Sequence, residues 1–143
     1  MNRQIAPAPI CGTVAAIASK SAAHRLYLCA SLADAPTEIL CDGTSKDIEA
    51  TKACLAAMEQ RNALLPCGES GSTLRFLLPV AAAKGVEAVF SMEGRLPQRP
   101  LAPLDQQLTN HGVTLSRPAP HLLRVSGRLT PGEFTLPGNV SSQ

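Results

Sequence analysis

Three stretches of this chain put small hydroxyl residues or glycine where a helix should begin. The first is Ser19-Lys20-Ser21, followed by His24 and Arg25. The second is Gly68-Glu69-Ser70-Gly71-Ser72-Thr73, followed by Arg75. The third is Val140-Ser141-Ser142-Gln143, after the turn residues Pro137-Gly138-Asn139. A helix N-terminus offers unpaired backbone N–H groups and the positive end of the dipole, so it favours anions. Hydroxyls add donors, and glycine lets a ligand come close to the backbone. Lys20 in a first turn and Arg25, four residues beyond Ser21, project from one face, and Arg75 follows Gly71 at the same spacing. Arg99 stands immediately before Pro100, where a rigid turn lets a guanidinium fork a carboxylate or phosphate. Together these residues suit a ligand carrying several negative charges.

Each feature has a plainer reading. Serine is an ordinary N-cap, and any one of these starts taken alone is more often structural than functional. Gly68 to Thr73 lacks the lysine that a nucleotide-binding P-loop places before Ser72. It approaches a nucleophile elbow, but Ser72 stands where that motif needs glycine, and no triad follows. Arg25 and Arg95 could be solvated or paired, and His24, His111 and His121 suit surface or structural roles. The five cysteines, Cys11, Cys29, Cys41, Cys54 and Cys67, form no Cys-x-x-Cys pair and have no histidine at zinc-ligand spacing. They are expected to be reduced and mostly buried. It is the combination of starts and basic residues that points to chemistry.

Composition narrows the classes. The 143 residues are 45% hydrophobic and 17% charged, enough to bury the core of one small domain, and with 3% aromatics that core must be aliphatic. A net charge of +2 is too small for non-specific nucleic-acid binding. No window is apolar enough to span a bilayer, and residues 1–10 do not form a secretory signal, so a cytoplasmic setting is expected and the sequon Asn139-Val140-Ser141 carries no weight.

The elements that must position these groups follow from periodicity. Residues 10–17 read as a strand. Ser19 caps a helix to about residue 33, with Leu26, Cys29 and Ala33 at helical spacing. Residues 37–41 read as a short strand, and Ser45 caps a second helix with Ile48, Leu55 and Met58 as its apolar stripe. A third helix, apolar nearly all round, runs from about Gly71 to Ala83, with Pro79 expected to kink it. Residues 86–92 read as a strand. Pro100 suits the first turn of a fourth helix, with Leu101, Leu104 and Leu108 on one face and Gly112 ending it. Residues 113–115, 122–125 and 134–136 read as short strands. The class is α/β with mixed strand directions.

Five motifs in order, running nearly end to end, resemble the enolpyruvyl transferases and within them the 5-enolpyruvylshikimate-3-phosphate synthases. They are Ser19-Lys20-Ser21-x-x-His24-Arg25, Ser45-Lys46-Asp47-Ile48, Cys67 to Arg75, Arg99-Pro100-Leu101-x-Pro103-Leu104 and Leu136 to Gln143. The resemblance implies transfer of the enolpyruvyl group from phosphoenolpyruvate to the 5-hydroxyl of shikimate 3-phosphate, without metal or organic cofactor. It implies that Lys20 sits between both substrates and that Ser21 and Arg25 hold shikimate 3-phosphate. Gly71 would lie beside phosphoenolpyruvate through its backbone, with Arg99 pairing that ligand's charges. Ser141 and Ser142 would bind the shikimate phosphate and Gln143 would touch both substrates, with Ser72 and Arg75 contributing behind them. The implied fold is a two-domain inside-out α/β barrel of βαβαββ units with the active site between domains. Residues 1–143 would be the N-terminal part, and residues 1–18 would associate with a second domain not contained here.

Two departures from the family pattern shape the expectations. The proton-transfer carboxylates and further basic ligands belong, by the resemblance, to the portion beyond Gln143; Asp42, Asp47 and Glu69 replace them only by default. The chain alone is therefore expected not to turn over substrate, its partner being the remaining C-terminal portion. The stretch 59–67 is also shorter than the family's connection, which contains a further strand. Two other identities stay open: a non-catalytic chain that binds shikimate 3-phosphate or only assembles with a C-terminal partner, and the related transferase acting on UDP-N-acetylglucosamine. The latter typically has Lys-Asn where this chain has Lys20-Ser21, and it lacks the Arg25 pattern.

Overall fold

The computed structural model describes residues 6, 7, 9, 11–60 and 62–138. Its helices are α1 (Lys20–Ser31), α2 (Lys46–Met58), α3 (Gly71–Lys84) and α4 (Leu104–Asn110), and its strands are β1 (Ala63–Gly68), β2 (Ala88–Met92), β3 (Val113–Ala119) and β4 (Leu122–Gly127). The strands form one mixed sheet in the order β1-β2-β4-β3, with β1 parallel to β2 and the other neighbours antiparallel.

The sheet register explains the core. Ala63, Ala88, Val125 and Leu115 form one row across the four strands, and Leu65, Phe90 and Leu123 form the next. Side chains alternate between faces along a strand, so both rows point to the same side, where Leu65, Phe90 and Val125 are fully buried. Leu74, Leu77, Leu78, Ala81 and Ala82 of α3 complete this core, as the all-round apolar pattern of that helix predicts. The opposite row, Leu64, Val89, Arg124 and Ser116, faces outward, and Leu64 is 59% exposed.

The helix starts follow the caps. Ser19 Oγ accepts from Ala22 N, Ser45 Oγ from Ile48 N and Ser70 Oγ from Thr73 N, each at 3.3 Å. Asp47 and Glu49 add negative charge to the first turn of α2, where the dipole favours it. The stripe of α2 differs in part: Ile48 and Met58 are buried as expected, but Thr51 and Cys54 share that face and Leu55 is only partly covered. Helix α3 runs through Pro79 as one element and ends at Gly85, whose φ of 69° lets its amide reach back to Ala81 and Ala82.

Several expectations fail for identifiable reasons. Residues 11–19 form no strand, and Val14 and Ile17 are 89% and 94% exposed. Residues 37–41 are irregular too, with Leu40 89% exposed. Neither run has a neighbouring strand among the described residues, and an unpaired β segment has no ladder to hold it. Residues 134–136 are not a strand either; the Phe134 ring stacks on His111 at 4.0 Å, and Thr135 N donates to Gln107 Oε1. Helix α4 begins at Leu104 rather than Pro100, because Pro103 pushes the residue before it out of the helical region. Only Cys54 and Cys67 are buried; Cys11 and Cys29 are exposed and Cys41 is intermediate. Strand β1, which periodicity does not predict, overlaps the short stretch 59–67. Its Pro66 fits because β1 is an edge of the sheet, where a missing N–H costs no ladder bond.

Candidate anion-binding site

The N-terminal turns of α1, α2 and α3 meet at one end of the domain. Lys20, Asp47, Glu69, Gly71, Ser72, Arg75, Arg99 and Pro100 line a cleft of about 520 Å³ there. Lys20 is the first residue of α1, and its Nζ lies 2.6 Å from Asp47 Oδ2 in the first turn of α2. Gly71 is the first residue of α3, fixed by the buried cap Ser70. The loop before it is held against the exit of β2, where Glu93 N donates to Gly68 O at 2.7 Å.

The two arginines converge on Gly71. A Cβ at that position would lie 2.7 Å from Arg75 Nη1 and 3.1 Å from Arg99 Nη1, so only glycine leaves both guanidiniums where they are. Arg75 is braced by its own hydrogen bonds, from Nη1 to Gly71 O at 3.3 Å and from Nη2 to Pro100 O at 2.8 Å. Burial, and then the neighbouring charge of Arg99, push its pKa down. Neither guanidinium makes an ion pair among the described residues. Arg99 closes the short 3₁₀ turn Leu96–Gln98 in extended conformation, which carries its exposed side chain across to α3. Three cations thus face two carboxylates, and one of those carboxylates is taken by Lys20. A phosphate or carboxylate entering beside Gly71 would meet two guanidiniums and a helix N-terminus.

Ser21 and Arg25 do not line this cleft. Arg25 Nη1 donates to Ser21 O at 2.9 Å and to Ser21 Oγ at 2.7 Å, and its guanidinium lies 5.1 Å from the Phe76 ring centre. It borders a neighbouring apolar groove of about 480 Å³ between α1, α3 and α4, whose wall Arg75 shares. Lys20, Gly71, Ser72, Arg75 and Arg99 are therefore brought together, while Ser21 and Arg25 form a separate pair alongside. Ser141, Ser142 and Gln143 lie outside the described residues. Sequence reasoning gave Asp47 and Glu69 no more than default standing, yet both line the cleft. For Asp47 the available signal was its place two residues after a capping serine.

A model of the EPSP synthase (3-phosphoshikimate 1-carboxyvinyltransferase) family matches residues 52–143. A 3-phosphoshikimate 1-carboxyvinyltransferase of Clostridium acetobutylicum is 32% identical over 164 residues, covering 98% of this chain and 38% of the relative. The enzyme of the same name from Clostridium kluyveri is 35% identical over 159 residues, covering 97% of the chain and 37% of its own length. That of Clostridium novyi is 32% identical over 171 residues, with 99% and 39% covered. The chain spans under two fifths of the length of these curated relatives. Each match runs over more positions than the 143 present here, so the relatives carry residues within this region that the chain lacks. Since the family match covers well over half the chain, this protein belongs to the EPSP synthase family.

Proposed function

We propose that this chain supplies one wall of an enolpyruvyl transfer site, in which the 5-hydroxyl of shikimate 3-phosphate takes the enolpyruvyl group of phosphoenolpyruvate and inorganic phosphate leaves. The observation that carries this is the convergence of Arg75 and Arg99 on Gly71 at the start of α3, with Lys20 across the same cleft. Arg99 and the Gly71 backbone would hold phosphoenolpyruvate, with Ser72 and Arg75 supporting them. Lys20 would lie between the two substrates, neutralising charge as phosphate departs. Ser21 and Arg25 would hold shikimate 3-phosphate, together with Ser141, Ser142 and Gln143.

The chain would not perform the reaction alone. Its cleft carboxylates are Asp47, which is occupied by Lys20, and Glu69, which packs against the Gly94 turn. Proton transfer at the enol carbon needs a carboxyl group placed over that carbon, which the remaining portion of the enzyme would bring. Residues 1–18 would associate with that portion, and the exposed Val14 and Ile17 support such a contact. A cytoplasmic setting accords with this function, and no helix among the described residues is long and apolar enough to cross a membrane.

The test is a titration of the chain with shikimate 3-phosphate and then phosphoenolpyruvate, followed by amide shifts. Saturable shifts at Lys20, Ser21, Gly71 and Ser72 are expected. Phosphate release should appear only after a polypeptide covering the rest of the relatives' length is added. An absence of saturable shifts both with and without that polypeptide would overturn the proposal.

A further inference from the structure

Beneath the cleft, four almost wholly buried polar side chains form one hydrogen-bonded chain: His24 (1% exposed), Thr51 (1%), Thr73 (0%) and Ser70 (2%). His24 Nδ1 lies 2.7 Å from Thr51 Oγ1, Thr51 Oγ1 lies 2.7 Å from Thr73 Oγ1, and Thr73 Oγ1 lies 2.7 Å from Ser70 Oγ. Ser70 Oγ in turn accepts from Thr73 N at the start of α3. The chain therefore runs from α1, through α2, to the cap of α3.

Its direction follows from counting protons. Each threonine hydroxyl has one, and both could donate to the Asp47 carbonyl instead, but only at 3.3 Å. A hydroxyl donor prefers about 2.7–2.8 Å, so the protons go along the chain. Thr73 Oγ1 donates to Ser70 Oγ; with its one proton so used it must accept from Thr51, which leaves the Thr51 oxygen to accept from His24 Nδ1–H. Nε2 then carries only a lone pair, consistent with its having no partner among the described residues. Burial, which holds the His24 pKa below its ordinary value against the pull of Asp47, agrees with a neutral ring.

Every member stands one helical turn, or one residue, from a group of the cleft. His24 is four residues after Lys20, Thr51 four after Asp47, and Ser70 immediately precedes Gly71. We propose that Thr51, with His24 and Thr73, acts as a positioning residue for the anion site: the relay locks the rotation of α1 and α2 against the start of α3, so that Lys20 and Gly71 address one ligand. Apolar side chains of similar size would fill the same space but would not fix that rotation, because hydrophobic contact has no direction and a hydrogen-bonded chain does. The clause about the ligand rests on the function proposed above; the geometry of the relay does not.

Ring ¹⁵N shifts of His24 in the unaltered chain test the direction of the relay. The Nδ1–H tautomer is expected, and the Nε2–H tautomer would overturn it. Thr51→Val and Thr51→Ser then test positioning. Thr51→Val should weaken shikimate 3-phosphate binding about tenfold, whereas Thr51→Ser, which restores the hydroxyl, should stay within about twofold of the unaltered chain. Equal affinity in Thr51→Val and the unaltered chain would overturn the positioning role. If shikimate 3-phosphate is taken up neither by the unaltered chain nor after the C-terminal polypeptide is added, the proposed function falls, and the relay is judged on ligand-free amide shifts of Lys20 and Gly71. Thr51→Val should move these and Thr51→Ser should not; shifts unmoved by Thr51→Val would sink it. If Thr51→Val does not fold, the tautomer decides.

Discussion

Lys20 and Asp47, 27 residues apart in sequence, close a 2.6 Å ion pair between the first turns of α1 and α2. The pair is half-exposed on the lysine side, so it adds little to stability, but it occupies the cation that the cleft would offer an anion. A ligand phosphate must compete with the Asp47 carboxylate.

Removing that competitor should therefore help binding. Asp47→Asn is expected to raise shikimate 3-phosphate affinity about two- to fivefold, the worth of an exposed pair, and to lower stability by less than about 1 kcal/mol. Calorimetric titration and urea melts check both, and a fall in affinity would count against the competition. Lys20→Ala should weaken binding by about tenfold in the same titration.

Gly71→Ala separates function from stability. The backbone at Gly71 is helical, and the atoms a methyl would meet at 2.7 Å and 3.1 Å are the mobile ends of Arg75 and Arg99. They can swing away, so stability should change by less than about 1 kcal/mol. Phosphoenolpyruvate affinity should fall about tenfold or more as the guanidiniums are displaced. Unchanged affinity would mean that the two arginines do not act at Gly71.

Stability should fall with acidity because of His24. Burial lowers its folded pKa, an effect that nearby Asp47 opposes and that Lys20 and Arg25 reinforce. The unfolded chain then binds a proton more readily than the folded one. The contribution is complete above the ordinary value of 6.5 and is lost progressively as pH falls below it. Urea midpoints at about pH 7.5 and about pH 5.5 should differ more for the unaltered chain than for His24→Gln. Equal differences would remove His24 as the cause.

The row Leu65-Phe90-Leu123 should be the most sensitive part of the core. Phe90 is fully buried at the centre of the sheet between β1 and β4. Phe90→Ala is expected to cost about 3–5 kcal/mol, a large share of what a domain of this size possesses. Leu64→Ala, at an exposed position of the neighbouring edge strand β1, should change the urea midpoint little. Comparable losses at the two positions would contradict the one-sided core.

Local signals in the sequence were enough for every helix start governed by a serine cap. Ser19 and Ser45 each accept the expected amide, and Ser70 does the same just before the expected start at Gly71, because an N-cap is decided within four residues. The apolar run of α3 and the β3 and β4 segments were legible for the same reason, from spacing and residue type, whereas the meeting of Lys20, Gly71, Ser72, Arg75 and Arg99 at one cleft was suggested only by the order of the motifs and was decided by packing. Tertiary structure decided what depends on partners far away in the chain. Residues 11–17 and 37–41 have strand-like composition but no strand beside them, whereas Ala63–Gly68 becomes a strand despite Pro66 because β2 and α2 cover it. Arg25 turned to Ser21 and Phe76 rather than into the cleft, and the relay through His24, Thr51, Thr73 and Ser70 joins residues up to 49 positions apart. Hydrogen bonds and burial between distant segments exist only once the helices have packed, so no local pattern announces them.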